Sequence, residues 1–359
     1  MKMKTKVIHV ISSMQLGGVE KGINLSIKEL SDVFNYKVLT LTNNNTFYNE
    51  NDSNHFLFSK KKFVVFSLLS SLLQLKKEQP DFIVSSLWKS VAFSIIYKKF
   101  VNKKVKLIAF IHSEKYFHLF DKIFTNLILK YADVIAFDSN NTLKVLKAKN
   151  RLTQNLFIIP YIFNSQKQVS NEVSNLPIKF LFAGRLDGIK NLSAVLDFLS
   201  VFKQTQNEFI FHIYGEGKSS YLNHLKQRIN LLNLSENISF KGSFGANETS
   251  KIYSQYHFYI QFSKNEGMAM SIVDAMIHGI IPIATPVGEI KNYITHLQNG
   301  ILIEHNLNDE NYKVLAQTIM DLYNNFQEFS RLKNNASNYF SNQKNYIQSF
   351  KEMIDTLNR

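Results

Sequence analysis

Short apolar runs alternate with amphipathic stretches along nearly the whole chain, and this alternation restricts the possible folds more than any other feature. In the first half, apolar runs at 6–13, 82–86 and 105–112 are separated by stretches with helical periodicity. The same order returns in the second half, with apolar runs at 179–183 and 209–214. Strands that are apolar throughout are typical of parallel sheets covered by helices on both faces. The sequence therefore predicts an α/β protein built from doubly wound parallel sheets.

A polar segment separates the two series of apolar runs. Residues 164–177 lack apolar periodicity and end in a proline, which is typical of a linker. We therefore predict two Rossmann-like domains that face each other across a cleft, an N-terminal domain over residues 1–163 and a C-terminal domain over 178–340.

The composition describes a globular protein with large cores. The chain has 359 residues, of which 45% are hydrophobic and 19% charged. It contains no cysteine, which excludes disulfides and thiolate metal sites and favours a cytoplasmic location. The first residues are basic, but the apolar part that follows is short and broken by polar residues. We predict that it forms a strand and is not a secretory signal.

Positive charge is concentrated in the first half of the chain. Residues 1–151 carry 24 Lys/Arg and 11 Asp/Glu, whereas the remainder carries 18 and 17. This asymmetry indicates an anionic partner for the N-terminal domain, such as a membrane surface, a polyanion or a phosphorylated acceptor. A lysine-rich base composition is the alternative, and it explains the abundance of lysine but not its distribution. Residues 59–77, apolar between lysines, are a candidate membrane-surface helix, although packing on the sheet accounts better for the apolar face.

Two carboxylates mark the stretch 262–288, which is predicted to run from a strand end through a glycine loop into a short helix. Glu266 and Asp274 are eight positions apart, and Gly267 follows the first. On one helix this spacing lets both acids project toward the same side. The N–H groups at the start of such a helix can bind an anion or a sugar oxygen. The stretch therefore predicts a site for a phosphorylated ligand.

A second polar motif occupies residues 183–191, between a predicted strand and a predicted helix. Ligands of open α/β sheets bind at this carboxyl end of the strands. Arg185 offers a forked cation and Lys190 a point cation, a combination suited to a diphosphate. The alternative is that both are solvated loop residues.

Together these motifs resemble a known family. The block FAGRL at 182–186 with Lys190-Asn191, followed by Glu266-Gly267 and Asp274-Ala275-Met276, resembles the retaining GT-B glycosyltransferases of family 4. YGEG at 214–217, LGGVEK at 16–21 and IHS at 111–113 also match, and the resemblance is strongest from 180 to 303. It implies the GT-B architecture, with a last segment, 341–359, that packs back on the N-terminal domain.

The resemblance also implies roles for individual residues. Arg185 and Lys190 would hold the diphosphate of a nucleotide sugar, Glu266 would contact the donor sugar, and His112 would lie beside the reacting sugar. Asp274 would bind the ribose, at a position where the family usually has the longer Glu. The implied catalytic residues are His112, Arg185, Lys190 and Glu266, and the implied donor-binding residues are Gly17, Gly18, Gly184, Arg185, Lys190, Gly215, Glu266, Gly267, Met268, Ala269, Met270 and Asp274.

The reaction implied is the transfer of a sugar from a nucleotide-diphosphate donor to a glycan or lipid-linked acceptor, in bacterial surface polysaccharide synthesis on the inner face of the membrane. Because the sequence contains no Asp-x-Asp pair, we expect fixed cations to stabilise the leaving diphosphate, with no metal and no cofactor. Two alternatives remain open. A sugar-nucleotide epimerase can share the architecture. A nucleic-acid-binding protein would explain the net charge of +14, but no binding motif accompanies it and we expect no nucleic acid partner.

Overall fold

The chain folds into two parallel sheets, each in its own unit. The computed structural model describes residues 4–14, 17–42, 56–58, 64–113, 119–163, 177–205, 208–245, 248–304 and 308–359. Unit 1 comprises Met1–Phe163 and Lys344–Arg359, and unit 2 comprises Asn164–Gln343. The predicted linker lies outside the described residues except for Pro177.

The sheet of unit 1 has seven strands in the order β3-β2-β1-β4-β5-β6-β7, all paired in parallel. The order reverses between β1 and β4, so the carboxyl ends of these strands form a topological switch point. The strands are β1 (Lys6–Ile11), β2 (Asn35–Thr40), β3 (Phe56–Phe58), β4 (Phe82–Ser86), β5 (Lys106–Ile111), β6 (Val134–Phe137) and β7 (Asn155–Ile158).

Helices connect the strands of unit 1, and the last helix of the chain joins them. The helices are α1 (Gly18–Val33), α2 (Val64–Glu78), α3 (Trp88–Ile96), α4 (Leu119–Tyr131), α5 (Asn140–Lys149) and α13 (Tyr346–Leu357). A π-helical segment, Tyr97–Val101, continues α3. In α13, the ring of Phe350 lies 6.2 Å from that of Phe34 and 6.1 Å from that of Tyr36. These contacts fix α13 against the part of unit 1 where α1 passes into β2.

The sheet of unit 2 has six parallel strands in the order β10-β9-β8-β11-β12-β13. Its switch point lies between β8 and β11. The strands are β8 (Ile178–Ala183), β9 (Phe209–Tyr214), β10 (Ile238–Gly242), β11 (Phe258–Gln261), β12 (Ile281–Ala284) and β13 (Ile301–Leu302). The helices are α6 (Leu192–Gln204), α7 (Ser219–Leu231), α8 (Thr249–Tyr253), α9 (Met270–Ile277), α10 (Ile290–Tyr293), α11 (Asp309–Asn324) and α12 (Phe326–Tyr339).

Aromatic side chains fill the core of unit 2 between the sheet and α6. Phe180 of β8 packs edge-on against Phe202 of α6, with ring centroids 5.5 Å apart, and stacks on Phe258 of β11. All three rings are completely buried. Burying rings of this size supplies much of the stabilisation of a sheet covered by helices. The predicted fold class, two doubly wound parallel-sheet domains, is confirmed.

Candidate functional site

The loop after β8 is organised by a residue that the motif analysis did not single out, Asp187. Its Oδ1 accepts hydrogen bonds from the N–H groups of Ile189 and Lys190, at 3.0 and 3.2 Å. Its Oδ2 lies 2.6 Å from Nε of Arg185, whose side chain is exposed. One carboxylate therefore fixes the loop backbone and orients the predicted arginine.

Lys190 and Glu266 form an ion pair at the switch point of unit 2. Lys190 Nζ lies 2.7 Å from Glu266 Oε1, and the two side chains are only 16% and 9% exposed. Gln261, the last residue of β11, donates from Nε2 to the same carboxylate oxygen at 2.8 Å. A carboxylate this deeply buried needs both partners, because its desolvation is otherwise costly. The structure thus brings together the cation and the acid that the sequence placed 76 positions apart.

Gln261 is itself held by a buried polar network. Its Oε1 accepts from the hydroxyl of Tyr259 at 2.8 Å and from Ser271 Oγ at 3.2 Å. Burial raises the pKa of Tyr259, so its hydroxyl stays protonated and remains a donor. The sequence reasoning missed these residues. The available signal was the polar Gln261 at the end of an otherwise apolar strand.

The loop that carries Glu266 is fixed on several sides. The N–H of Lys264 donates to the carbonyl of Ile189 at 2.9 Å, which joins this loop to the one after β8. Further hydrogen bonds to its carbonyls come from Thr285 Oγ1 to Ser263 (2.6 Å), from the Tyr293 hydroxyl to Met268 (3.1 Å) and from the Glu289 N–H to Gly267 (3.2 Å).

Gly288 allows the backbone to approach this loop closely. It has a φ of +57°, and a Cβ there would lie 2.0 Å from the carbonyl oxygen of Glu266. A larger residue would be strained by its φ and would displace the loop. Together with the hydrogen bonds, this contact gives Glu266 a fixed position before any ligand binds.

The position of Glu266 corrects one prediction. Helix α9 begins at Met270, so Glu266 lies in the preceding loop and only Asp274 lies on the helix. The interpretation of the two acids as neighbours on one helical face is wrong. Ala269, at the N-cap, adopts a left-handed conformation with φ 52° and ψ 62° and offers no side-chain cap. This turn changes the direction of the chain between the two acids, and a non-glycine residue there is a strained feature of the kind found at functional sites.

The turn after β9 packs against the loop after β8. Gly215 has a φ of +137°, and a Cβ there would lie 1.8 Å from the carbonyl oxygen of Gly184. A Cβ on Gly217 would lie 2.1 Å from the carbonyl oxygen of Leu186. The structure therefore accounts for both glycines of this turn by contacts within the protein. It places Gly215 directly beside Gly184, so the backbones of the two predicted donor-binding glycines are in contact.

His112 lies in unit 1, directly after β5, at the end of a chain of hydrogen bonds. Its Nε2 lies 3.0 Å from Ser86 Oγ, and Nε2 of His9 lies 2.8 Å from the same oxygen. Nδ1 of His9 lies 2.9 Å from the hydroxyl of Tyr36. Ser86 has a single hydroxyl proton and can donate to only one of the two rings. When Ser86 donates to one imidazole, the other must donate to Ser86.

Burial keeps both imidazoles neutral at physiological pH. It lowers the pKa of His9 to about 3 and that of His112 to about 3, where the nearby His9 adds to the effect. Nδ1 of His112 is buried and has no hydrogen-bond partner in the described part of the chain.

The ring of Tyr161 lies close both to the start of α1 and to His112. A Cβ on Gly22 of α1 would lie 1.9 Å from Cε1 of Tyr161, whose ring centroid is 5.5 Å from that of His112. Gly17 is the N-cap of α1 and Gly18 its first residue. The structure thus places Gly17, Gly18 and His112 in unit 1, and the other predicted site residues in unit 2. Leu16 of the same motif lies outside the described residues.

The described residues contain no group of three or more His, Cys, Asp or Glu side chains that could hold a metal ion. They also contain no helix with the length and apolar character needed to cross a membrane.

The model of one protein family, described as glycosyl transferases group 1, matches residues 163–339. An uncharacterized glycosyltransferase of Methanocaldococcus jannaschii is 24% identical over 94% of this chain and 93% of its own length. The GtfA subunit of a UDP-N-acetylglucosamine–peptide N-acetylglucosaminyltransferase of Streptococcus parasanguinis is 24% identical over 52% of this chain, which spans only 37% of that relative.

Among solved structures, Anabaena HepE in complex with UDP-glucose superposes with a TM-score of 0.79 at 17% identity, over 98% of this chain and 99% of the other. At an identity this low, the superposition establishes only the fold, and it includes residues of both units. The family match covers the ion pair of Lys190 and Glu266, and the relatives are glycosyltransferases. Residues 163–339 therefore form a glycosyl transferases group 1 domain, and the chain is a glycosyltransferase with two parallel-sheet α/β domains of the GT-B type.

Proposed function

We propose that this glycosyltransferase is a retaining enzyme of family 4, which moves a sugar from a nucleoside diphosphate donor to a glycan or lipid-linked acceptor. The ion pair of Lys190 and Glu266 supports this proposal most directly. It sets a cation and a carboxylate at the carboxyl ends of β8 and β11, on two loops joined by a backbone hydrogen bond. A cation suits a diphosphate, and a carboxylate oxygen suits a sugar hydroxyl.

Cleavage of a glycosyl–phosphate bond leaves negative charge on the departing diphosphate. In the proposed mechanism Lys190 and Arg185 offset that charge, and neither a metal nor a cofactor takes part. Glu266 accepts a hydrogen bond from the donor sugar, and Asp274 accepts from the ribose. Unit 2 holds the donor, with the glycines and N–H groups of residues 267–270 beside it.

Unit 1 receives the acceptor in this proposal. His112, whose imidazole is neutral, is the residue proposed to lie beside the reacting sugar. Gly17 and Gly18 allow the start of α1 to approach the phosphates. The proposed setting is bacterial surface polysaccharide synthesis, in the cytoplasm at an anionic membrane surface that the basic unit 1 contacts.

A donor screen tests this proposal. Purified protein is mixed with UDP-, GDP-, ADP- and CMP-sugars and a membrane extract, and released nucleotide and glycan product are measured. UDP-sugars are the first donors to try, because the GtfA relative is named for UDP-N-acetylglucosamine and HepE was solved with UDP-glucose. Transfer should persist in EDTA, and NMR of the product should show the anomeric configuration of the donor.

Two variants decide whether the assigned site carries the reaction. Arg185→Ala and Lys190→Ala should each lower transfer, and unchanged rates in both would contradict the proposal. Conversion of the donor without an acceptor would favour the epimerase alternative. Binding of an oligonucleotide in a mobility-shift assay, without any donor turnover, would favour the nucleic-acid alternative.

A further inference from the structure

The whole excess positive charge of the protein lies in unit 1. Unit 1 contains 27 Lys/Arg and 13 Asp/Glu residues, a net charge of +14, whereas unit 2 contains 15 of each. Only two of the basic residues in unit 1 are arginines, Arg151 and Arg359. A partner that is recognised by its negative charge therefore binds unit 1 and contacts mainly lysine side chains.

The π-helical segment after α3 turns apolar side chains toward solvent. The N–H of Asn102 donates to the carbonyl of Tyr97 at 2.9 Å, the spacing of a π turn. Tyr97 itself is buried, and its hydroxyl donates to the carbonyl of Leu75 at 3.1 Å. The side chain of Phe100 is left 79% exposed, and its neighbours Ile96 and Val101 are also exposed. Three adjacent exposed apolar residues at one turn are an uncommon feature of a protein surface.

Exposed lysines surround these apolar side chains. Lys99, Lys103 and Lys104 come from the same segment and the turn after it. Lys130 joins them from α4, because Nζ of Lys99 and of Lys130 lie 4.7 and 5.9 Å from the ring centroid of Tyr131. No Asp or Glu occurs between residues 82 and 113. Lys98 is not counted among these lysines, because it is paired with Asp133.

Helix α2 lies next to this turn but is built differently. Leu75 is completely buried, and Leu68 and Leu72 pack on the core of unit 1. The helix was a candidate membrane element in the sequence, yet the face formed by Leu68, Leu72 and Leu75 belongs to the interior, whereas Leu69 and Leu73 are 53% and 68% exposed. Its lysines 60–62 lie outside the described residues, whereas the exposed Lys76 and Lys77 end the helix beside Leu75. They extend the basic character of the surface around the π turn.

We propose that Ile96, Phe100 and Val101, together with Lys99, Lys103, Lys104 and Lys130, form a surface that docks unit 1 on an anionic lipid bilayer. We call it the Phe100 surface. An aromatic ring and two aliphatic side chains can enter the headgroup boundary, while lysines around them meet anionic lipid. This inference deepens the membrane contact included in the proposed function by assigning it to named residues.

The composition of the Phe100 surface favours lipid over nucleic acid. Aliphatic Ile96 and Val101 gain from contact with acyl chains but offer nothing to a stacked base. Lysine is a compact point charge that suits a diffuse anionic surface, whereas arginine is preferred for forked contacts to phosphates and base edges. The Phe100 surface contains no arginine.

Vesicle flotation with the full chain tests the proposal. Binding to vesicles of phosphatidylcholine with phosphatidylglycerol should exceed binding to phosphatidylcholine alone and should weaken as salt is added. Phe100→Ser, and separately the pair Lys103→Glu and Lys104→Glu, should each weaken binding to anionic vesicles about tenfold or more. All three residues are exposed, so unchanged thermal melting is expected and shows that the variants are folded.

Matched controls come from unit 2. Leu231 of α7 is 81% exposed, and Leu231→Ser should leave vesicle binding unchanged. The exposed pair Lys226→Glu and Lys313→Glu makes the same change in net charge on unit 2 and should have a smaller effect. Equal binding to neutral and anionic vesicles, or full binding by both Phe100-surface variants, would overturn the proposal, as would binding of a single-stranded oligonucleotide but not of vesicles.

A separate measurement distinguishes this inference from the proposed function. The thermal shift produced by UDP depends on unit 2 and should be the same in the parent and in the Phe100-surface variants. Absence of any shift by nucleotides would count against the proposed donor site and leave the vesicle result standing.

Discussion

Lys190 Nζ lies 2.7 Å from Glu266 Oε1, and this contact joins the loops after β8 and β11 at the switch point of unit 2. Gln261 donates to the same oxygen and is the second partner of the carboxylate. In the proposed function, a pair that is already formed holds both side chains in position for the donor. Such preorganisation is the usual source of electrostatic stabilisation in an active site.

Replacing Lys190 should affect both the reaction and the stability. Lys190→Ala removes a cation and leaves the buried Glu266 carboxylate with the hydrogen bond from Gln261. We expect kcat/KM for the donor to fall about 10²–10³-fold and the free energy of unfolding to fall by about 1–3 kcal/mol. Nucleotide release and urea denaturation measure the two effects. Lys264→Ala, an exposed lysine whose backbone N–H bond to Ile189 survives the change, should behave like the parent.

Gly288→Ala should displace the loop that carries Glu266. The new Cβ would meet the carbonyl oxygen of Glu266 at 2.0 Å, at a φ of +57° that disfavours alanine. We expect a loss of about 2–3 kcal/mol in the free energy of unfolding, together with a lower kcat/KM. Gly188→Ala is the control, because a Cβ there has no atom within 4 Å and should leave stability unchanged. A fully stable and active Gly288→Ala variant would show that the loop position is not required.

Buried His9 should make stability depend on pH. Its pKa is about 3 in the folded protein, below the ordinary 6.5, so between these values the unfolded chain binds a proton that the folded chain does not. The free energy of unfolding therefore falls as pH falls through this window, by about 1.4 kcal/mol per pH unit for each such histidine. Urea denaturation from pH 7 to pH 4 should show a shallower slope for His9→Gln than for the parent.

Two substitutions test the proposed binding of the donor ribose by Asp274. Asp274→Glu supplies the longer acid that the family usually carries, so UDP affinity measured by calorimetry should be preserved or increased. Asp274→Asn keeps the shape but removes the charge, and it should weaken binding about tenfold by loss of a charge-assisted hydrogen bond. A large loss in Asp274→Glu would mean that the shorter acid has another role.

The elements themselves were largely visible in the sequence. β4 (Phe82–Ser86) and β9 (Phe209–Tyr214) have the predicted bounds, because each contains a run of apolar residues whose side chains are buried in its sheet. The short β3 (Phe56–Phe58) and the helix α3 (Trp88–Ile96) were not predicted. Three residues are too few to give a period, and α3 is buried along much of its length and therefore lacks a clear polar face.

The charged residues of the candidate site could be predicted from the sequence, but the hydrogen bonds that hold them could not. Lys190 and Glu266 were singled out by their motifs, whereas Tyr259, Gln261 and Ser271, which hold Glu266 through hydrogen bonds, were not. A hydrogen bond between the side chains of a strand, a loop and a helix leaves no periodic signal in the sequence. The helix predicted to hold both acids begins only at Met270, after a left-handed turn at Ala269. The sequence gives no signal for this turn, because residues other than glycine rarely adopt the left-handed conformation.

The sequence by itself determined two doubly wound sheets and the motifs of a glycosyltransferase, since apolar periodicity and loop chemistry are local properties of the chain. Tertiary structure alone decided that Lys190 pairs with Glu266, that Ser86 lies between His9 and His112, and that the π turn exposes Phe100. Each of these depends on which strands become neighbours or how one turn is wound. Hydrogen bonds and burial are set by distances in space, and residues far apart in sequence meet only when the sheets have formed.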